Sequence, residues 1–139
     1  MKNKYMKVVA CAVLFMAAAL QMDAQSAKKA KVKDFITDCE KSEFVKTPKF
    51  AETMAWFNRL AEASPMVNIS FFGTSPMGRD LALVIVDKEG LTTPDAIREK
   101  GRVIVLIESC IHSGEPDGKD ATMIFLRDMV VGKKNIDVL

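Results

Sequence analysis

The pattern of apolar and polar residues predicts a helix followed by a β-hairpin. The helix is predicted to begin at Thr47–Pro48, where a capping residue precedes a proline, and to end near Ala63. Residues 67–72 alternate between apolar and polar side chains, as half-buried strands do, and residues 81–86 form a second apolar strand. Turn-forming residues 73–78 join the two strands. The apolar stripe expected on the helix consists of Phe50, Met54, Phe57, Leu60 and Ala61.

The remainder of the pattern predicts one more strand and one more helix. Residues 103–107 are uniformly apolar and rich in β-branched side chains, which is typical of a central strand covered on both faces. A polar connection, residues 91–102, precedes them, and residues 120–131 predict a helix with Gly132 as its C-cap. Residues 135–139 resemble the approach to another strand. The apolar face expected on the second helix consists of Ala121, Ile124, Phe125 and Met129, widened by Met123, Leu126 and Val130.

The order helix, strand, strand, strand, helix indicates the α/β class. Three strands and an apolar helix would leave apolar surface uncovered, so the pattern predicts the front part of a larger α/β domain. This incomplete domain is expected to occupy residues 47–139, and about 115 residues after a leader leave room for one domain only. The polar, lysine-rich residues 25–46 are interpreted as a linker or a short, loosely packed element.

Residues 1–24 have the composition of a secretory signal. Lys2, Lys4 and Lys7 precede a 13-residue apolar stretch, Val8–Leu20, and cleavage is predicted after Ala24. Export to the periplasm or the extracellular space is therefore expected, without stable membrane association after cleavage. An uncleaved membrane anchor is the alternative, although the apolar stretch is short for a membrane span.

Net charge and cysteine content bear on the partners and on the redox state of the mature chain. Removing residues 1–24 would take away three lysines and one aspartate, which brings the formal charge from +2 to zero. No basic face suited to nucleic acid is visible, so no nucleic-acid partner is expected. Cys39 and Cys110 would remain, and the sequence leaves open whether they form a disulfide or stay as free thiols.

A candidate metal motif follows the predicted central strand. His112 and Glu115 stand three residues apart on the strand-to-helix loop, and Gly114 between them permits a tight or left-handed backbone. Imidazole nitrogen and carboxylate oxygen are zinc ligands, and the carboxyl end of a strand is where open α/β sheets bind ligands. Alternatively, Glu115, Asp117 and Asp120 are acids that favour the positive end of the following helix. Asp117 is better explained as such an acid than as an acceptor that orients His112.

Two spaced motifs in order give the chain a family resemblance. Gly73, Ser75, Gly78 and Arg79 lie between the first two strands, and the His-x-x-Glu pair follows the third. In this respect residues 45–139 resemble the zinc carboxypeptidase family of the carboxypeptidase A type. The resemblance implies a mixed-sheet α/β/α domain of the phosphorylase/hydrolase-like kind. It also implies that His112 and Glu115 bind one zinc ion and that Arg79 contacts the substrate.

The family's remaining catalytic residues have no counterpart here. The resemblance places a third ligand, a histidine, and the general-base glutamate further downstream, but His112 is the only histidine of the chain. Cys110 would offer a third ligand only through an adventitious Cys-x-His-x-x-Glu site. The intact parent is expected to hydrolyse C-terminal peptide bonds, and this chain alone is expected to be inactive. The alternatives are a zinc amidohydrolase acting on N-acyl amino acids and a non-catalytic periplasmic interaction module.

Overall fold

A computed structural model describes residues 30–139 of the chain, so the predicted signal sequence, residues 1–24, lies outside the described part. Helices and a small antiparallel sheet make up this part, which confirms the mixed α/β class. Short 3₁₀ helices occupy Val32–Phe35 and Ile136–Val138. The other elements, in chain order, are α1 (Asp38–Lys41), α2 (Phe50–Ala63), β1 (Val67–Thr74), β2 (Asp80–Val86), α3 (Pro94–Glu99) and α4 (Asp117–Val130).

The two strands form the predicted hairpin. They pair antiparallel, with Val67 opposite Val86 and Thr74 opposite Asp80. The register shifts between Phe71 and Gly73, which leaves one extra residue in β1 as a bulge. The hairpin was predictable because strand alternation and turn-forming residues are local signals.

The core lies where α2 and α4 meet β1 and the first 3₁₀ helix. On α2 the predicted stripe is confirmed at Phe57 and Leu60, which are buried. It is wrong at Phe50, which is exposed, and it omits the buried Trp56. The indole nitrogen of Trp56 donates a hydrogen bond to the carbonyl oxygen of Phe35 at 3.1 Å, and the two rings meet edge to face. The face therefore turns toward the residues that precede α2. The buried core consists of Phe35, Trp56, Phe57, Leu60, Val67, Met123, Leu126 and Val130.

Helix α2 begins later than the sequence predicted. Its N-cap is Lys49 rather than Thr47. The carboxylate of Glu52 accepts a hydrogen bond from the Lys49 amide at 2.7 Å, and this contact replaces the threonine cap. The predicted end at Ala63 is confirmed.

Helix α4 begins at Asp117, three residues before the predicted start. Of the predicted apolar face, Met129 is buried, but Ala121 and Phe125 are exposed. Met123, Leu126 and Val130, which were expected only to widen that face, are buried in the core. The predicted C-cap at Gly132 is wrong, because Val131 caps the helix and the left-handed residue that follows is Lys133. Periodicity located the helix but misplaced its buried side by part of a turn.

Residues 32–41, within the stretch interpreted as a linker, pack against the rest of the protein. Phe35 and Thr37 are buried. The guanidinium of Arg127 on α4 contacts the carboxylate of Glu40 at 2.6 Å. This segment is closely packed because the buried ring of Phe35 and the ion pair between Glu40 and the buried Arg127 fix it. Its polar composition did not indicate these contacts.

The predicted central strand is wrong for residues 103–107. No strand is assigned there, and the side chains are between 46% and 86% exposed. A strand requires a hydrogen-bonded neighbour, and in the described residues β1 and β2 pair only with each other. Arg102, just before this segment, forms ion pairs with Asp87 and Glu89 after β2. The predicted approach to a strand at residues 135–139 is also wrong, since a 3₁₀ helix forms there.

Among residues 30–139, no helix has the length and apolar character needed to cross a bilayer.

Candidate metal centre

The His-x-x-Glu motif forms an exposed turn immediately before α4. The amide of Glu115 donates a hydrogen bond to the carbonyl oxygen of His112 at 3.0 Å, which closes a four-residue turn. A left-handed backbone was expected to be possible at Gly114, but the left-handed residue near this turn is Cys110, with φ of 62°. Pro116 then caps α4. The two candidate ligands therefore stand at the two ends of one turn.

The side chains of these two residues meet at the protein surface. Nδ1 of His112 lies 3.1 Å from Oε2 of Glu115. The side chains are 78% and 73% exposed, so the contact itself contributes little to stability. One imidazole nitrogen and one carboxylate oxygen, both of them zinc ligand types, are thus brought together at the surface.

The described residues bring together two candidate zinc ligands and not three. Catalytic zinc sites use three protein ligands, and in residues 30–139 no group of three His, Cys, Asp or Glu side chains is placed to hold a metal ion. Cys110 does not complete the set. Its sulfur points to the His112 carbonyl oxygen at 3.9 Å, and its left-handed backbone interrupts the strand continuation that a Cys-x-His-x-x-Glu site required. The chemistry of the pair fits zinc, but the number of ligands is incomplete.

The acids that follow the motif belong to the start of α4. Asp117 is exposed in the first turn of the helix, as expected for an acid that favours the helix N-terminus. Asp120 is buried and contacts the ammonium group of Lys119 at 2.6 Å. The position of Asp117 in the first helical turn and the ion pair of Asp120 are the roles that the structure gives these acids.

Arg79 lies at the hairpin turn. Its backbone amide donates to the hydroxyl of Ser75 at 3.1 Å, and its guanidinium stands over the ring of Phe50 at 5.7 Å from the centroid. Its side chain is exposed. These contacts are local to the hairpin and α2, so the substrate role that the family resemblance implies stays a prediction.

The two described cysteines are free thiols. Cys39 is buried, whereas Cys110 is partly exposed. Burial raises the pKa of Cys39, and the carboxylate of Asp120 nearby raises it further. A neutral thiol in such surroundings is unreactive and packs as a small apolar side chain.

Sequence reasoning missed the contacts at the base of the loop. Ser109, just before Cys110, lies against the first two turns of α4 at Gly118 and Thr122. Because the contact joins residues up to 13 positions apart, no periodic pattern announced it. Gly118, a glycine inside the first turn of a helix, is the sequence signal that could have indicated a close approach.

A comparison with known protein families finds one match that includes this site. A family model described as zinc carboxypeptidase matches residues 53–138, which is more than half of the chain. The match includes the hairpin with Arg79, the turn with His112 and Glu115, and α4. No curated protein and no solved structure matches the chain. The resemblance drawn from the hairpin and His-x-x-Glu motifs is confirmed, and the chain belongs to the zinc carboxypeptidase family.

Proposed function

We propose that His112 and Glu115 are two zinc ligands of a carboxypeptidase whose complete form removes C-terminal residues from peptides. The 3.1 Å approach of their side chains on an exposed turn carries this proposal. The turn lies within the stretch that matches the zinc carboxypeptidase family. An imidazole nitrogen and a carboxylate oxygen are also the ligand types that zinc peptidases combine.

Zinc at such a site polarises a carbonyl group and lowers the pKa of a bound water. The part of this chain is to hold and present the ion. The hydrogen bond from the Glu115 amide to the His112 carbonyl oxygen sets the spacing of the two ligands. Their exposure leaves the approach open to a peptide, and Arg79 is proposed to contact that peptide.

The chain by itself is proposed to bind zinc weakly and to lack peptidase activity. Its sequence contains a single histidine, so a set of one glutamate and two histidines is beyond it. The exposed apolar segment 103–107 supports the further proposal that additional polypeptide completes the domain. The signal-like composition of residues 1–24 supports the proposal that the complete enzyme is exported to the periplasm or the extracellular space.

A zinc competition assay on the full chain tests the ligand pair. A fluorescent chelator is titrated against wild type, His112→Ala, Glu115→Gln and the control Asp117→Asn. We expect either ligand substitution to weaken zinc binding at least roughly tenfold. The control is expected to bind as wild type, because Asp117 is an exposed acid in the same loop region.

Two outcomes would contradict the proposal. Equal zinc affinity in His112→Ala and wild type would show that the ion binds elsewhere. Release of the terminal residue from a peptide with a free carboxylate, by wild type carrying one zinc per chain, would refute the predicted inactivity.

A further inference from the structure

The loop that carries the candidate ligands is closed at its base by a second set of contacts. The hydroxyl oxygens of Ser109 and Thr122 lie 3.4 Å apart. The Thr122 hydroxyl also donates to the carbonyl oxygen of Gly118 at 2.7 Å. Ser109 precedes the loop and Gly118 lies in the first turn of α4 directly after it, so the two ends of residues 110–116 are held close together.

A side chain at position 118 on the helix side would crowd this contact. A Cβ atom at position 118 would lie 3.2 Å from the Ser109 hydroxyl oxygen and 3.4 Å from the Ser109 Cβ. A Cβ atom at position 114 would meet nothing within 4 Å. Of these two glycines, Gly118 is therefore the one at which α4 and the segment around Ser109 approach closely.

The spacing of the ligands depends on how this loop closes. Fixing the ends of a short segment removes most of its alternative conformations. The loop also contains Cys110 in the left-handed region, a conformation that persists only where the surroundings impose it. Release of the base would remove the contacts that hold Cys110 in its left-handed backbone, and only the hydrogen bond from the Glu115 amide to the His112 carbonyl oxygen would then hold the turn.

We propose that Ser109 and Gly118 are positioning residues, which clamp the loop so that His112 and Glu115 meet at one point. The role in zinc binding rests on the proposed function, whereas the clamp on the turn does not. Neither residue is itself a ligand. Their effect reaches the metal through the geometry of the loop.

The Gly118→Ala substitution distinguishes a role in positioning the loop from a general role in the stability of α4. Alanine favours helix more than glycine does, so the substitution is not expected to destabilise α4. It is expected to push Ser109 away and to weaken zinc binding by roughly tenfold, the scale found when groups that orient metal ligands are altered. Ser109→Ala/Gly118→Ala removes the hydroxyl oxygen that would be contacted, so zinc affinity is expected to recover. Gly114→Ala is the matched control and is expected to bind zinc as wild type.

The experiment uses the full chain and two readouts. His112 is the only imidazole in the sequence, so its NMR signal reports zinc titration without assignment ambiguity. Hydrogen exchange of the Glu115 amide reports closure of the turn without metal, and Gly118→Ala is expected to accelerate it while the double variant restores it. Unfolding in urea confirms that the global stability of each variant is retained.

The readouts distinguish failure of the clamp from failure of the zinc site. The clamp would be overturned if Gly118→Ala had the zinc affinity and the Glu115 amide exchange rate of wild type. It would also be overturned if Gly118→Ala lost zinc affinity and turn closure but the double variant did not restore them. If zinc leaves the wild-type His112 signal unchanged, the proposed zinc site fails, and the amide exchange still decides the clamp.

Discussion

Replacement of Glu40 by glutamine is expected to destabilise the protein by about 2 kcal/mol, because it removes the negative partner of a buried arginine. Arg127 is 5% exposed. Its Nη1 lies 2.7 Å and 2.6 Å from the two carboxylate oxygens of Glu40. The same carboxylate accepts from the amide and the hydroxyl of Thr37, at 2.9 Å and 3.0 Å.

The magnitude follows from what remains after the substitution. Breaking a fully buried ion pair costs about 3–5 kcal/mol, since a charge is left without a partner. Here Arg127 keeps a second partner, as its Nε donates to Asp128 at 2.9 Å. Glutamine also keeps one oxygen acceptor. The loss should therefore lie nearer the roughly 1.5–3 kcal/mol of a hydrogen bond to a charged group.

Urea unfolding of the full chain measures this effect, and Asp38→Asn is the control on the same helix. Asp38 pairs with Lys41 at 2.8 Å, but both side chains are more than half exposed, so its loss should cost under about 1 kcal/mol. Equal stability of Glu40→Gln and Asp38→Asn would refute the reasoning. It would show that the segment before α2 is not held by the ion pair.

Three further outcomes are expected. Leu60→Ala, at a fully buried position, should cost about 3 kcal/mol in urea unfolding, and a loss below about 1 kcal/mol would place Leu60 outside the core. Val105→Lys should change stability by less than about 0.5 kcal/mol and reduce the binding of a hydrophobic dye, whereas a large loss of stability would mean that residues 103–107 are covered. Burial opposes ionisation of Asp87, but hydrogen bonds from Arg102 and two backbone amides hold the pKa of that carboxyl below its ordinary 3.8. Its stabilising contribution is therefore complete above that value and lost as pH falls through the lower folded pKa, so acid unfolding below about pH 4 should be steeper in wild type than in Asp87→Asn.

The parts of the fold that the sequence predicted depend on local signals. The hairpin was predictable because two strand-like stretches flank a run of turn-forming residues, and the structure pairs these two strands antiparallel. The end of α2 at Ala63 was equally local, since proline follows one residue after the cap at Ser64.

The parts of the fold that the sequence did not predict depend on tertiary contacts between distant segments. The apolar run 103–107 is typical of a central strand, but a strand also needs neighbours that pair with it, and a run of side chains does not specify these. Trp56 joins the core because its indole reaches the carbonyl oxygen of Phe35, 21 residues away. A helical stripe chosen from α2 alone could not include that partner.

The candidate site divides in the same way. His112 and Glu115 were predictable as a pair because they stand three residues apart on one loop, and the structure places their side chains 3.1 Å apart. The clamp at Ser109 and Gly118 joins the loop to a helix through tertiary contacts, so the sequence did not reveal it.

X-ray absorption spectroscopy of the zinc-loaded full chain tests the central claim most directly. Coordination by His112 and Glu115 predicts an imidazole nitrogen at about 2.0–2.1 Å and carboxylate oxygen at about 2.0–2.2 Å, with light-atom solvent ligands in the remaining positions. The imidazole signal should disappear in His112→Ala. A sulfur ligand at about 2.3 Å, or a spectrum that His112→Ala leaves unchanged, would contradict the account and place the ion at another site.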